Sequence, residues 1–80
     1  RRVRIAIIGH TDTTGEEDFN RTLSYQRAEK VWQAMLALGV SPRYLAVKGL
    51  GASDPLRPED TEEDRERNRR VSFNIIWEPD

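Results

Sequence analysis

The chain changes from apolar to polar within the stretch VRIAIIGHTD, residues 3–12. Its first six residues are rich in β-branched side chains, which predicts a strand that Gly9 ends. Polar and apolar residues alternate only at the start of this run, so we expect the strand to be covered on both faces near its end. Asp12 lies just beyond that end, where ligand sites in open α/β sheets commonly form.

An amphipathic helix is predicted further along the chain. Ser24 has the side chain of a good N-cap, so we expect the helix to run from Ser24 to about Leu38. Gly39 stands where a left-handed C-terminal cap is expected. The polar residues 16–22 are compatible with a loop or a short helical turn. Apolar residues recur at three- and four-residue spacings and predict one buried stripe: Ala28, Val31, Trp32, Met35 and Leu36.

Three more elements are predicted after this helix. Tyr44–Val47 and Val71–Trp77 have the composition of strands. Thr61–Arg69 alternates acidic and basic residues and predicts a short exposed helix, with Thr61 as the cap and Asp64 at the third helical position. The strand–helix–strand order predicts parallel strands joined by a crossover. The predicted fold class is therefore α+β: a βαβ crossover plus a further strand, with a mixed sheet and helices on one face.

Composition excludes several classes of function. The 80 residues carry 13 basic and 14 acidic side chains, and the net charge of −1 gives no reason to expect nucleic-acid binding. The absence of cysteine excludes disulfides, zinc–thiolate sites and cysteine nucleophiles. The only histidine, His10, lacks the partners that catalysis or metal binding would need, so we expect it to pack or to form a hydrogen bond. The sequence predicts one domain without enzymatic activity, metal or cofactor.

Two charged residues stand out, each with two interpretations. Asp12 is either a turn residue that bonds its own backbone or part of a ligand site. Arg27 would lie in the first turn of the predicted helix, where the helix dipole disfavours a cation, and this hints at another role. Its alternative interpretation is a salt bridge to Asp12 or Glu29. If Asp12 and Arg27 meet, they could recognise a ligand that carries both an ammonium and a carboxylate.

Together these motifs resemble the OmpA-like (OmpA/MotB/Pal) peptidoglycan-binding domain, over essentially the whole chain. The matching residues are Ile8–Asp12, Gly15, Asn20, Leu23, Ser24, Arg27, Ala28, Val31, Leu36, Gly39, Val40, Gly49, Gly51, Pro55, Arg65 and Asn68–Val71.

The resemblance implies non-covalent attachment to the bacterial cell wall. In this family the residues that match Asp12 and Arg27 bind the meso-diaminopimelate of the peptidoglycan stem peptide. The carboxylate would receive the ligand's ammonium, and the guanidinium would take its carboxylate in a forked pair. The resemblance also implies roles for further residues around the pocket. Asn20 and Leu23 would line it, Thr11 would shape it, and Asn68 and Arg69 would border it.

The family domain normally begins with an additional strand and helix, which the resemblance places before Arg2. We therefore expect residues 1–80 to be a shortened fragment of a larger envelope protein, with an uncovered sheet edge or face. The resemblance implies a periplasmic location in a Gram-negative bacterium, attached to the outer rather than the inner membrane through an upstream anchor. The alternative function is a structural protein–protein interaction module in an envelope, motor or secretion assembly, which binds an envelope protein or a second copy of itself. A peptidoglycan hydrolase is disfavoured, because no metal site or acid–base pair can be assembled.

Overall fold

A computed structural model describes residues 2–78 and the side chains of residues 3–77. Three strands form one sheet in the order β2-β1-β3, in which β1 is parallel to β2 and antiparallel to β3. This arrangement confirms the predicted α+β class with a mixed sheet and parallel crossover strands. The elements in chain order are β1 (Arg2–Gly9), α1 (Glu17–Ala37), a short 3₁₀ helix (Pro42–Tyr44), β2 (Leu45–Gly49), α2 (Glu62–Asn68) and β3 (Val71–Glu78).

Helix α1 begins eight residues earlier than the sequence predicts, with Glu16 rather than Ser24 as its N-cap. It starts at Glu17, so the prediction of Ser24 as its N-cap was wrong. Ser24 is fully buried in the middle of the helix, where its hydroxyl donates to the Arg21 carbonyl and accepts from the Gly51 N–H, both at 2.9 Å. The hydroxyl therefore ties α1 to the loop after β2. Arg27 consequently lies in the helix interior, and the helix dipole gives no reason for its position.

Two other local predictions agree with the structure, and a third differs from it by one residue. Helix α1 ends at Ala37, and Gly39 has the left-handed φ of 98° that a C-terminal glycine provides. Thr61 and Asp64 form a reciprocal capping box at the start of α2, in which each side chain bonds the other's backbone N–H. Strand β2 begins one residue later than predicted, because Tyr44 completes the short 3₁₀ helix.

The core lies between α1 and the first two strands. Ile7 on β1 and Leu45 on β2 are buried, and Ala28 on α1 packs against them. The predicted helix stripe is confirmed, because its four larger members pack around this cluster: Val31, Trp32, Met35 and Leu36. Burial of this stripe stabilises the contact between helix and sheet.

Strand β3 extends the same face of the sheet beyond α1. Phe73 is opposite Ile7, and Ile75 is opposite Ile5, so these residues share the face that α1 covers. Phe73 and Ile75 are nevertheless 58% and 60% exposed, and Trp77 further along the strand is also exposed. The described part of the chain therefore has an uncovered apolar face on an edge strand, as the resemblance implies.

Candidate ligand-binding site

Asp12 is held rigidly at the carboxyl end of β1. The Thr11 N–H donates to the Gly51 carbonyl at 2.8 Å, and the Thr11 hydroxyl donates to the Asp12 carbonyl at 2.9 Å. The Asn20 amide reaches the same carbonyl at 3.4 Å. Asp12 is only 7% exposed. Thr11 and Asn20 thus fix the backbone that carries the carboxylate, in the place where the sequence predicts a ligand site.

The Asp12 carboxylate has two strong protein contacts. Its Oδ1 accepts from the Thr14 N–H at 2.8 Å, and its Oδ2 lies 2.5 Å from Nη1 of Arg69. Burial acts to raise the pKa of Asp12, but the hydrogen bonds from Arg69 and Thr14 outweigh burial and hold the pKa below its usual value. A carboxylate offers about four acceptor positions, so the ionised group retains capacity for an additional donor.

Arg69 links Asp12 to helix α2. While Nη1 contacts Asp12, Nη2 lies 2.9 Å from a carboxylate oxygen of Glu62. The family resemblance implies that Arg69 borders the pocket, and the structure makes it the direct partner of Asp12. No spacing rule links two residues that are 57 positions apart, so this pair could not be read from the sequence.

Arg27 is half-buried on α1. In contrast to the Asp12 carboxylate, its guanidinium forms no hydrogen bond or ion pair with any described side chain, residues 3–77, or with the described backbone. The predicted alternative of a salt bridge to Asp12 or Glu29 is therefore not seen. Arg27 lines a surface groove of about 330 Å³, together with residues of the same helix: Leu23, Gln26, Glu29, Lys30 and Gln33.

Asn20, Leu23 and Arg27 lie on one face of α1, because they are three, four and seven residues apart. Asn20 contacts the Asp12 carbonyl, so this face runs from the Asp12 loop to the guanidinium of Arg27. Asn20 also lines a separate cleft of about 310 Å³ on its other side, between the Asp12 loop and the loop after β2. The cleft beside Asn20 and the groove beside Arg27 share no lining residue, so Asp12 and Arg27 lie at different positions along this helix face.

Asn68 is fully buried, and its amide is occupied by the protein itself. Its Oδ1 accepts from the Leu56 and Arg57 N–H groups at 2.8 and 3.2 Å, while its Nδ2 donates to the Arg57 carbonyl at 3.0 Å and to Glu59 at 2.8 Å. The sequence suggests Asn68 as a border residue of the pocket. The structure places it beneath the loop that joins β2 to α2, where it organises the backbone.

His10 has the structural role that the sequence predicts. It is 1% exposed, and its Nε2 lies 2.8 Å from the Ser72 hydroxyl, which joins β1 to β3. Burial first and the charge of Arg70 second lower the pKa of His10, while Asp54 acts weakly in the opposite direction.

The buried His10 predicts a pH-dependent stability. Its folded-state pKa lies below the usual 6.5, so the unfolded chain binds the proton more readily. The stability that neutral His10 contributes is present above that pH and is lost as the pH falls through the folded-state pKa. We expect the free energy of unfolding in urea to fall as the pH is lowered from neutral through the range below 6.5. His10→Gln should remove most of this slope, and an equal slope in the variant would contradict the assignment.

The described residues contain neither a metal-binding cluster nor a membrane-spanning helix. No three acidic or histidine side chains between residues 2 and 78 are arranged to hold an ion. Neither α1 nor α2 combines the length and apolar character that a bilayer crossing needs.

The sequence matches the OmpA family model over residues 1–69, which include Asp12, Arg27 and Arg69. The chain belongs to the OmpA family. Over 72 residues it is 44% identical to the peptidoglycan-binding protein ArfA of Mycobacterium bovis, and the match covers 90% of this chain and 22% of ArfA. Most of the relative therefore lies outside the segment shared with this OmpA-family chain.

Two solved structures of OmpA-like domains have the same fold. The C-terminal domain of Helicobacter pylori MotB superposes with a TM-score of 0.88 at 31% identity, covering 98% of this chain and 60% of that one. The peptidoglycan-associated lipoprotein from Burkholderia pseudomallei also gives a TM-score of 0.88 at 31% identity, covering 92% of this chain and 63% of that one. The chain spans less than two thirds of both structures.

Proposed function

We propose that this OmpA-family domain binds peptidoglycan non-covalently, through the meso-diaminopimelate of the stem peptide. Asp12 receives the ligand's ammonium, and Arg27 takes its terminal carboxylate. The observation that carries the proposal is the half-buried Arg27, which no described group pairs. A guanidinium in that condition is suited to a planar anion such as a carboxylate.

The geometry of α1 supports a ligand that bridges the two groups. Arg27 is seven residues beyond Asn20, or about 10 Å along the helix axis. Helical side chains lean toward the N-terminus of their helix, so a side chain as long as that of Arg27 is able to reach a ligand bound between it and the Asp12 loop. Leu23 lies between them and provides an apolar wall for the carbon chain of the ligand. The ligand's two charged groups then meet opposite charges at the two ends of one surface.

The other candidate residues support the clamp that Asp12 and Arg27 form together. Thr11 and Arg69 hold the Asp12 backbone and carboxylate in place, and Asn68 holds the neighbouring loop. In this proposal they position the site and Leu23 lines it. No step of binding needs a metal or cofactor.

The relatives support the proposed cellular role. ArfA is a peptidoglycan-binding protein and the Burkholderia relative is a peptidoglycan-associated lipoprotein, which supports a periplasmic tether to the wall. We place the tether at the outer membrane of a Gram-negative cell. A second role, contact with an envelope protein or a second copy, is favoured by the exposed apolar residues Phe73 and Ile75 on β3.

Two muropeptides that differ by one carboxylate test whether Asp12 and Arg27 each bind one charged group of the ligand. Titration by calorimetry with a diaminopimelate muropeptide should show a loss of affinity of about thirtyfold for Asp12→Asn and for Arg27→Gln, since each removes one charge-assisted contact of about 2 kcal/mol. A muropeptide with lysine in place of diaminopimelate lacks the terminal carboxylate. It should bind the wild-type protein about thirtyfold more weakly than the first ligand, and this difference should vanish in Arg27→Gln.

The matched control is Arg43→Gln, which removes the same charge from an exposed residue at the opposite end of β2. It should bind both ligands as the wild type does. Unchanged affinity of a folded Arg27→Gln variant for the diaminopimelate ligand would contradict the proposal.

A further inference from the structure

The carboxylate of Glu59 joins two loops that lie far apart in the sequence. Its Oε1 accepts from the Thr13 hydroxyl at 2.6 Å and from the Thr13 N–H at 3.2 Å. Its other oxygen accepts from the Asn68 amide at 2.8 Å. Thr13 follows Asp12 directly, so a residue of the loop between β2 and α2 reaches the turn that carries the candidate ligand-binding carboxylate.

Only a carboxylate satisfies all the groups around this position. The Thr13 N–H, the Thr13 hydroxyl and the Asn68 amide N–H are all donors, and they approach both oxygens of Glu59. Glutamine has a single acceptor oxygen, so its NH₂ would face one of these donors. The hydrogen bond from the Thr13 side chain and then that from Asn68 hold the pKa of Glu59 below its usual value, so the group is ionised at neutral pH.

The turn that Glu59 holds is the turn that orients Asp12. Thr14, the residue after Thr13, donates its N–H to Asp12 Oδ1 at 2.8 Å, while Arg69 holds Oδ2. Thr13 and Thr14 are adjacent in the chain, so release of Thr13 would free the Thr14 N–H to move. Glu59 thus acts on the contact between the Thr14 N–H and Asp12 Oδ1. The contact between Arg69 and Asp12 Oδ2 does not depend on Glu59.

We propose that Glu59 is a positioning residue for the peptidoglycan site, which fixes the Asp12 carboxylate through Thr13 without touching the ligand. This inference rests on the proposed binding of diaminopimelate. It assigns a role to a residue that no sequence motif marks, because Thr13 and Glu59 are 46 positions apart.

Glu59→Gln tests the inference first without ligand. Amide hydrogen exchange followed by NMR should be at least about tenfold faster at Thr13 and Thr14 in the variant, which corresponds to about 1.4 kcal/mol of lost local stability. Exchange at Ile7 in the buried strand β1 should be unchanged. Glu63→Gln is the matched control, since it makes the same change on an exposed residue of α2 that pairs with Arg67.

Ligand binding then separates an effect at the ammonium end of the site from one at the carboxylate end. Glu59→Gln acts only through the ammonium site, which both ligands use, so it should weaken the diaminopimelate and lysine muropeptides by the same factor of about five to ten. The ratio of the two affinities should stay at the wild-type value. Arg27→Gln, by contrast, should abolish that ratio, so the two variants have different signatures. Should Glu59→Gln fail to fold, Thr13→Val deletes only the hydroxyl bond and should act in the same direction.

The outcomes distinguish this inference from the proposed function. Unchanged exchange at Thr13 and Thr14 would overturn the inference whatever the affinities. Faster exchange with wild-type affinity would also overturn it, because the turn would then not matter for binding. If the wild-type protein binds neither muropeptide, the proposed function is overturned, and with it the ligand part of the inference. Faster exchange in Glu59→Gln would in that case still support the hold of Glu59 on the turn.

Discussion

Gly9→Ala should abolish cooperative folding. A β-carbon at Gly9 would lie 1.8 Å from the Ser24 carbonyl oxygen and 2.6 Å from the carbonyl carbon. Both are backbone atoms in the buried centre of α1, so a side-chain rotation cannot relieve the overlap. Gly9 cannot retreat either, since β1 is the central strand and Gly9 pairs with Gly49 on one side and Val71 on the other. The helix must move off the sheet.

The expected loss for Gly9→Ala is about 4 kcal/mol or more, at the extreme of single substitutions. A small domain has little more stability than that. Urea unfolding followed by circular dichroism should therefore show no folded baseline for the variant at 25 °C.

Gly39→Ala is the matched control for this experiment. Gly39 has a positive φ of 98°, but no atom lies within 4 Å of its β-carbon position. The alanine there costs only backbone strain, about 1–2 kcal/mol, and the variant should unfold cooperatively at a lower urea concentration. A Gly9→Ala protein as stable as Gly39→Ala would show that α1 and β1 do not approach as closely as the structure indicates.

Predictions that depend on neighbouring residues agree with the structure. The end of α1 at Gly39 and the capping box of Thr61 and Asp64 involve groups within about four residues of each other, and the strand β1 was found from a continuous run. Such features depend on local backbone geometry, which a sequence pattern records directly.

The largest failure came from a prediction that depends on a distant partner. Ser24 has the chemistry of a cap, but its hydroxyl bonds Gly51, which is 27 positions away, and the helix begins at Glu17 instead. The polar residues before Ser24 gave little sign of a helix, because the packing of α1 on the sheet determines its length there.

The two charged residues of the site show the same limit. Asp12 was found from its position after a strand, but its partner Arg69 comes from the far end of the chain. Arg27 was selected because a helix N-terminus disfavours a cation, and that reason disappears when the helix starts at Glu17. The structure gives a different reason: no described side chain pairs with the Arg27 guanidinium, a property that a sequence pattern does not record.

Asn68→Leu should cost about 3–5 kcal/mol, since it removes four hydrogen bonds and keeps the side-chain volume. The N–H groups of Leu56 and Arg57 and the Arg57 carbonyl would lose their partner. Thermal unfolding should therefore begin well below the wild-type transition, and Glu59 would lose one of the bonds that hold it beside Thr13. Asn74→Leu, the same change on an exposed residue of β3, should shift the transition little.

Asn68→Asp separates the two halves of the amide. The aspartate keeps an acceptor for Leu56 and Arg57, but its second oxygen faces the Arg57 carbonyl and the Glu59 carboxylate. Repulsion should raise the pKa of the new carboxyl group in the folded state, so the unfolded chain loses this proton first, and stability decreases as the pH rises from the usual aspartate value through the raised folded-state pKa. At lower pH the protonated group can donate to Glu59 and should recover much of the loss. A variant equally unstable at about pH 4 and about pH 7 would contradict a role for the donor half of the amide.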